Sequence, residues 1–402
     1  MTSLTESMTA DACPPMPKPH SGAVPACRDV GPDFQRDVHC VLGLPFDALT
    51  MSQAVEHVRQ AAFSGTRCFV STPNLNYLIA ARTDRAFRDS VLRSDLNLVD
   101  GMPLIWTARL LGVPLPERVS GAGLFERLLE HAGPPVTVFF FGGPDGVAEV
   151  ACARVNAREG GLRCVGFDSP GFGSVEDMSD ADRIARINAS GAQFVIVALG
   201  ARKGQGWIER NAARLDAPVL CHLGAVVNFA AGRVRRAPTR VQSVGLEWLW
   251  RIKEEPSLVK RYTNDGLRFL RLLFSRVMPE ALLRQVRAVN QTTQPALACT
   301  VGTDRVKIEL SGPWDWADLQ PLRTALSSTR ASGLPLCIEL QGVTRVSSAL
   351  IALLMLAFID AAAGGAPMQV HGSSPRLARA FYRQGAEFLL HELPRPHGDR
   401  RD

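Results

Sequence analysis

Residues 67–112 read RCFVSTPNLNYLIAARTDRAFRDSVLRSDLNLVDGMPLIWTARLLG, and this stretch decides the fold. A short apolar run, Cys68–Ser71, ends in the turn Thr72-Pro73-Asn74 and leads into a helical stretch, Asn76–Arg93. A second run, Leu96–Val99, ends in Asp100-Gly101 and leads into another, Pro103–Leu111. Strand, polar turn, helix, then the same again is what a parallel sheet demands, because parallel neighbours need a crossover connection.

The alternation continues downstream. Val136–Phe141, Leu162–Phe167, Phe194–Leu199 and Val219–Leu223 read as strands, with helices over Gly123–His131, Gly146–Glu159 and Gln205–Arg214. These strands are largely apolar, as strands covered on both faces require. The predicted fold class is α/β: a doubly wound, mainly parallel, Rossmann-like sheet. The later runs end in Gly142-Gly143, Asp168-Ser169-Pro170, Gly200-Ala201 and Gly224-Ala225. In open α/β sheets ligands bind outside the carboxyl ends of the strands, so these turns outline one site.

The flanks differ. Residues 1–37 are rich in Pro, Ser, Asp and Cys without hydrophobic periodicity, and a disordered tail is expected there. The sheet domain is placed at 38–227. Residues 228–290 read as a helical, basic appendage carrying Arg251, Arg261, Arg268, Arg271 and Arg276. Within it, Gly266–Met278 places Leu267, Leu270, Phe274, Val277 and Met278 on one helical face, with Arg268, Arg271 and Ser275 on another. Asn290–Pro295 reads as a linker. Residues 296–395 form a small α/β module, with strands Val306–Leu310, Leu336–Leu340 and Met368–His371 and helices Leu319–Ser332 and Ser348–Ala363.

Composition bounds the function. The 402 residues are 46% hydrophobic and 21% charged, which suits a globular chain of two or three domains. A net charge of +6 favours an anionic partner. Nine cysteines without a C-x-x-C pair are expected to be reduced thiols of a cytoplasmic protein. No apolar run approaches the ~18 residues of a membrane span. The basic appendage lacks the interleaved aromatics of a single-strand platform, so nucleic acid is not an expected partner.

Several strand-end residues carry chemistry. Asp100, after an apolar strand and before glycine, can take the proton of an attacking hydroxyl, or simply form a turn. Thr72 and Asn74 occupy the preceding strand's turn, where they line a pocket or cap a helix. Gly142 and Gly143 let a ligand approach the backbone, with amides free for phosphate. In Gly200-Ala201-Arg202-Lys203-Gly204-Gln205, Lys203 can neutralise phosphate and Gln205 can bind sugar hydroxyls or a base edge.

The segment Thr72–Phe125 resembles the one that identifies the WecG/TagA/CpsF glycosyltransferases: a Thr-x-Asn turn, Asp-Gly after the next strand, then Pro-Glu-Arg-Val-x-Gly. The resemblance continues through FFGGPDGVAE, GFDSPGFG, ALGARKGQGWIE, GAVVNFAAGRVRRAP and VGLEWLWRIKEEPSLVKRY, in order, over about 38–265. It implies a metal-independent, inverting transfer, with no cofactor. The sugar, of the N-acetylmannosamine type or glucose, moves from a UDP-sugar to an undecaprenyl-diphosphate-linked acceptor in cell-surface polysaccharide synthesis. It implies Asp100 as general base, with Thr72 also at the catalytic centre. Asn74, Gly101, Arg118, Gly142, Gly143, Gly200, Lys203 and Gln205 would line the substrate site. Arg251 and Arg261 of the appendage would meet the diphosphate. A peripheral position on an anionic membrane surface, at the inner face of the cytoplasmic membrane, follows from a lipid-linked acceptor.

The chain departs from that pattern in the late loop. The family usually reads Gly-x-Pro-Lys-Gln-Glu, where this sequence has Arg202, Lys203, Gly204 and Gln205 after Gly200-Ala201, so Gly204 stands where the family has glutamine unless Gln205 takes its place one residue later. An Asp common in the next motif is Asn228, and another appendage Arg falls near Ser257-Leu258. Such changes admit a competing reading, a degenerate transferase acting as a scaffold for its C-terminal module.

That module, with VKIELSGPWDWADLQPLRTAL and LPLCIELQGVTRVSSALIALLMLAF, resembles a STAS domain. The resemblance implies a protein partner and a regulatory phosphosite at Ser348, although the usual Asp-Ser pair reads Ser347-Ser348 here. Because every residue assigned to catalysis precedes the linker, the module is expected to be dispensable for chemistry.

Overall fold

The computed structural model describes residues 31–234, 236–238, 241, 245–286, 294–315, 317–330 and 332–391. The tail through residue 30, most of the linker, Arg287 and the last residues of the C-terminal module lie outside them. The chain opens with an antiparallel hairpin, β1 (Val38–Val41) and β2 (Leu44–Asp47). A parallel sheet follows: β3 (Cys68–Ser71), β4 (Leu96–Asn97), β5 (Val136–Gly142), β6 (Leu162–Asp168), β7 (Phe194–Ala198) and β8 (Val219–His222), in the order β4-β3-β8-β7-β5-β6. The expected doubly wound fold is present.

The inner strands are buried on both faces because they are apolar at successive positions, whereas the edge strand β6 leaves Arg163 and Phe167 exposed. Val138, Phe140 and Ile196 face α1 (Met51–Ser64), with α5 (Gly121–Leu129) and α6 (Val147–Asn156) on the same side. Phe139, Phe141, Val195 and Val197 face α7 (Ala181–Ala189) and α8 (Ala201–Asn211), where Trp207 stacks on Phe141 at 4.1 Å. The expected single helix over Asn76–Arg93 is two. These are α2 (Leu75–Ala81) and α3 (Arg85–Leu92), the latter begun by Asp84, whose side chain accepts from the Phe87 amide. A cap residue inside an apolar-periodic stretch ends one helix and starts the next.

Cys152 on α6 and Cys164 on β6 are joined in a disulfide, which corrects the expectation of nine reduced thiols. Packing of α6 over β6 brings their Cα atoms to 5.2 Å, a separation no sequence spacing reveals.

The C-terminal module has a four-stranded sheet of order β12-β11-β10-β9: β9 (Ala296–Val301), β10 (Val306–Trp314), β11 (Leu336–Val346) and β12 (Met368–His371), with β9 antiparallel. Its helix Ser348–Ala363 is apolar all round, and Leu350 through Ile359 are each at most 2% exposed. A helix of that kind must be covered on every side. Its own sheet covers part of it. The rest is covered by Phe34, Val38 and Cys40 at the start of the chain and Leu92 of α3. Residues 31–37 therefore do not behave as the expected tail: Phe34 is buried and Arg36 pairs with Asp47 at 2.7 Å. The hairpin is a shared wall, since Val41, Leu44 and Phe46 pack instead with α2 and α4 (Met102–Leu111). At its bend, Gly43 (φ +95°) meets Gly385, where a Cβ would sit 2.5 Å from the Gly385 carbonyl oxygen.

The appendage comprises helices Glu247–Glu254, Val259–Leu272 and Met278–Val286, the last two joined by a π-turn, Leu273–Val277. Leu272 and Val277 anchor it against α2 and α4, with Phe269 and Leu273 packed alongside. Of the expected apolar face, Leu267, Leu270 and Phe274 stay exposed, whereas Val277 is buried. The π-turn shifts the helical phase between them.

Candidate active site

Asp100 follows β4 in a segment held by its neighbours. The Leu98 amide donates to the Ser71 carbonyl at 2.8 Å, Asp100 N to the Pro73 carbonyl at 3.0 Å, and Val119 N to the Val99 carbonyl at 2.9 Å. The turn after β3, the Asp100 loop and the start of α5 are thus one backbone unit. Gly101 has φ +147°, a conformation that suits glycine, and its Cα faces Asn74, whose Cβ would be 3.9 Å from a Cβ at 101. Thr72 is buried, and its Oγ1 would be 3.2 Å from a Cβ on Gly121. Asn74 caps α2, accepting from the Tyr77 amide at 3.2 Å.

The half-buried Asp100 carboxyl is enclosed by protein, and burial pushes its pKa up to about 6. Glu247 adds to the rise. Arg118, the Gly121 amide and Arg251 oppose it without cancelling it. A carboxylate poised near neutrality is what a general base needs. Arg118 is held by Glu247, its Nη1 donating to Oε2 at 2.8 Å, and this joins the catalytic domain to the appendage. Arg251 donates to Glu255 at 3.2 Å and lies 5.9 Å from the Phe229 ring.

Thr72, Asn74, Asp100, Gly101, Arg118 and Arg251 therefore converge, and the other expected residues divide. Gly200 (φ +84°) opens α8 without a side-chain cap. Lys203 donates to the Gly173 carbonyl at 2.8 Å, tying α8 to the loop after β6. The Gly143 amide is not free for phosphate: it donates to the Ala198 carbonyl at 3.1 Å, and Gly142 extends the β5–β7 pairing. Gln205 is fully buried and donates to Ser71 Oγ, so it points into the core. Its position falls on the buried face of α8 shared by Trp207 and Ile208, which its place near a strand end did not reveal. Arg261 is exposed on the appendage, beside Tyr262 at 5.4 Å, away from the Asp100 cluster's contacts. In the C-terminal module, Ser348 Oγ lies 3.1 Å from His39 Nδ1, at the contact with the β1–β2 hairpin.

A family model for the glycosyl transferase WecG/TagA/CpsF family matches residues 39–282. The chain belongs to the WecG/TagA/CpsF glycosyltransferase family. Residues 300–391 match a second model, described as Mlab, STAS domain. Among curated relatives, an N-acetylglucosaminyldiphosphoundecaprenol N-acetyl-beta-D-mannosaminyltransferase of Bacillus spizizenii is 29% identical over 195 residues, spanning 48% of this chain and 74% of the relative. A protein of the same description from Staphylococcus aureus is 25% identical over 214 residues, 52% of this chain and 82% of the relative. This chain is accordingly a transferase with a C-terminal STAS domain, and its strand-end turns belong to the family-matched region.

Four residues escaped sequence reasoning. Glu247 orders Arg118; the Gly121 amide meets Asp100; Tyr77 pairs with His222 at 2.7 Å. Tyr77 stands one turn beyond the Asn74 cap, and His222 ends a strand like the others, so strand-end position was a usable signal for the histidine.

Proposed function

We propose that this chain transfers a sugar, of the N-acetylmannosamine type or glucose, from a UDP-sugar to a polyprenyl-diphosphate-linked sugar at a membrane surface. The observation that carries the reading is Asp100, a carboxylate with a raised pKa at a strand end, flanked by Arg118 and Arg251. The names of the relatives, which describe transfer onto N-acetylglucosaminyldiphosphoundecaprenol, supply the acceptor class.

In this mechanism Asp100 takes the proton of the acceptor hydroxyl while its oxygen attacks the anomeric carbon. The new glycosidic C–O bond forms as the bond to UDP breaks, and the configuration inverts. Arg251 stabilises charge on the departing diphosphate, and backbone amides at the start of α8 complement it. No metal or other cofactor takes part. The working place is the inner face of the cytoplasmic membrane, reached peripherally: among the described residues no helix is long and apolar enough to cross a membrane. A panel of UDP-sugars offered with undecaprenyl-diphosphate-linked N-acetylglucosamine tests the reading, with UDP release and product mass as readouts. Failure of every UDP-sugar and acceptor pair would refute it.

A further inference from the structure

Two arginines, Arg118 and Arg251, act on Asp100, and a third, Arg236, reaches Ser120 Oγ beside the Gly121 amide at 3.3 Å. Each is held by a glutamate. Arg118 Nη1 donates to Glu247 Oε2 at 2.8 Å, Arg251 donates to Glu255 at 3.2 Å, and Arg236 donates to Glu126. Asp100 makes no ion pair among the described residues.

That division is not forced by the backbone. Val119 N donates to the Val99 carbonyl at 2.9 Å, so Arg118 and Asp100 each stand one residue from the same bond. The neighbouring carboxylate, Glu117, is spent on the Met51 amide at 2.6 Å. Without another partner, a guanidinium so placed would pair with Asp100. A paired carboxylate is a weak base, because an adjacent opposite charge lowers its pKa by roughly 1–3.

Glu247 supplies the other partner. It opens the helix Glu247–Glu254 of the appendage, one turn before Arg251, so the two share a face. The Arg118 and Glu247 side chains are each 15% exposed, and the pair is largely withdrawn from solvent. Burial is the first cause of the raised Asp100 pKa. Arg118 opposes it most among the charges, Glu247 adds to it, and the Gly121 amide and Arg251 oppose it more weakly. Tyr77 on α2 also senses Asp100, but it is a neutral phenol bonded to His222, whose pKa of about 4 leaves it uncharged in the working range.

We propose that Glu247 is a positioning residue for the catalytic base: it occupies Arg118 and so leaves Asp100 unpaired to take the acceptor's proton. The proposal rests on the transferase reading above. It gives the appendage a part in the chemistry beyond its arginines, since the base is ready only with the helix Glu247–Glu254 in place.

The test follows Asp100 itself. The full chain, labelled with 13C at its aspartate carboxyl carbons, is titrated by NMR, and the Asp100 signal is assigned by its loss in Asp100→Asn. Rate–pH profiles with the UDP-sugar and acceptor found by the panel above, and melting curves, are taken on the same proteins. Wild type should titrate near 6. In Glu247→Gln the Asp100 midpoint should fall by about 1 pH unit or more, with the rate midpoint following it and the plateau rate about 3- to 10-fold lower, as a weaker base gives. Glu247→Asp keeps the charge and should stay within about 0.5 pH unit of wild type. Adding Arg118→Gln to Glu247→Gln removes both charges and should bring the Asp100 midpoint back toward the wild-type value. A purely structural role would lower Tm and leave the midpoints in place. A folded Glu247→Gln that titrates like wild type, or a double variant no closer to wild type than the single one, overturns the proposal while leaving the transferase reading intact. A wild type that turns over no UDP-sugar overturns that reading, and with it the part of Glu247 in catalysis, whatever the titration shows.

Discussion

Arg276 grips Glu387 with both arms of its guanidinium, Nη1 to Oε2 at 3.0 Å and Nη2 to Oε1 at 2.7 Å, and so fastens the appendage to the STAS domain. The same arginine stacks on the Tyr382 ring at 3.9 Å and donates to the Tyr382 carbonyl. The π-turn aims it there, away from the exposed Arg268 and Arg271. Arg88 over Phe388 and Arg383 with Glu280 extend the contact.

Arg276→Glu should therefore loosen the STAS domain from the transferase, at a cost of about 2–3 kcal/mol for an uncompensated, largely buried charge. The swap Arg276→Glu/Glu387→Arg should recover part of it. Burial alone would raise the Glu387 carboxyl, but the bonds from Arg276 hold it below its usual value. Its contribution is thus complete above the free carboxyl's pKa and fades as pH falls through the lower, folded value. Melting curves of the three proteins between pH 3 and pH 7 check both statements. Protection of both domains by the swap equal to that of the single variant would exclude the pairing.

Deleting the STAS domain exposes Val38, Cys40 and Leu92, which share its core. A chain ending at residue 290 should keep its catalytic residues yet aggregate, unless those three are made polar. Light scattering with and without the polar changes measures this. A soluble, active fragment with the native surface would show that the shared wall is unnecessary.

Arg118→Ala should lower kcat about 10- to 100-fold by freeing Glu247 and adding an uncompensated charge beside Asp100. The pH at half-maximal rate should move upward, because Arg118 opposes the rise in the Asp100 pKa. A rate–pH profile with the same midpoint as wild type would remove Arg118 from the electrostatics of the base.

Leu267, Leu270 and Phe274 form an exposed apolar groove with Arg271 at its edge and Arg268 nearby. We expect it to meet anionic lipid, with about 1 kcal/mol from each surface-near cation. Arg268→Glu/Arg271→Glu should release the protein from anionic liposomes in flotation without lowering Tm. Arg276 is excluded from this set because it is buried. Undiminished flotation would mean that the groove serves another contact.

Turnover should survive EDTA, since arginines and backbone amides, rather than a cation on an Asp-x-Asp pair, are assigned the diphosphate charge. Loss of rate on chelation, restored by magnesium or manganese, would overturn that assignment.

The sequence carried the strands of the parallel sheet because most are apolar runs ending in a polar turn, and it brought Thr72 and Asp100 to one edge because strand ends converge in a parallel sheet; the β1–β2 hairpin and β9 went unread. It was silent where tertiary contact decides. Gln205 lies on a helix face that turns inward, Gly143 spends its amide on Ala198, and Cys152 meets Cys164 only through the packing of α6 on β6. The all-apolar helix Ser348–Ala363 held an unread signal: one small sheet cannot cover it, so another part of the chain had to.

The most direct measurement is the rate of sugar transfer by wild type and Asp100→Asn across pH 5 to 8, with the product's mass and anomeric configuration determined. The account predicts an inverted product heavier than the acceptor by one sugar residue, and a wild-type rate that falls as pH drops through about 6, the Asp100 pKa. It predicts a loss of roughly 100- to 10,000-fold in the variant, with UDP-sugar binding retained. An Asp100→Asn protein that turns over at the wild-type rate, or a product with retained configuration, would contradict it.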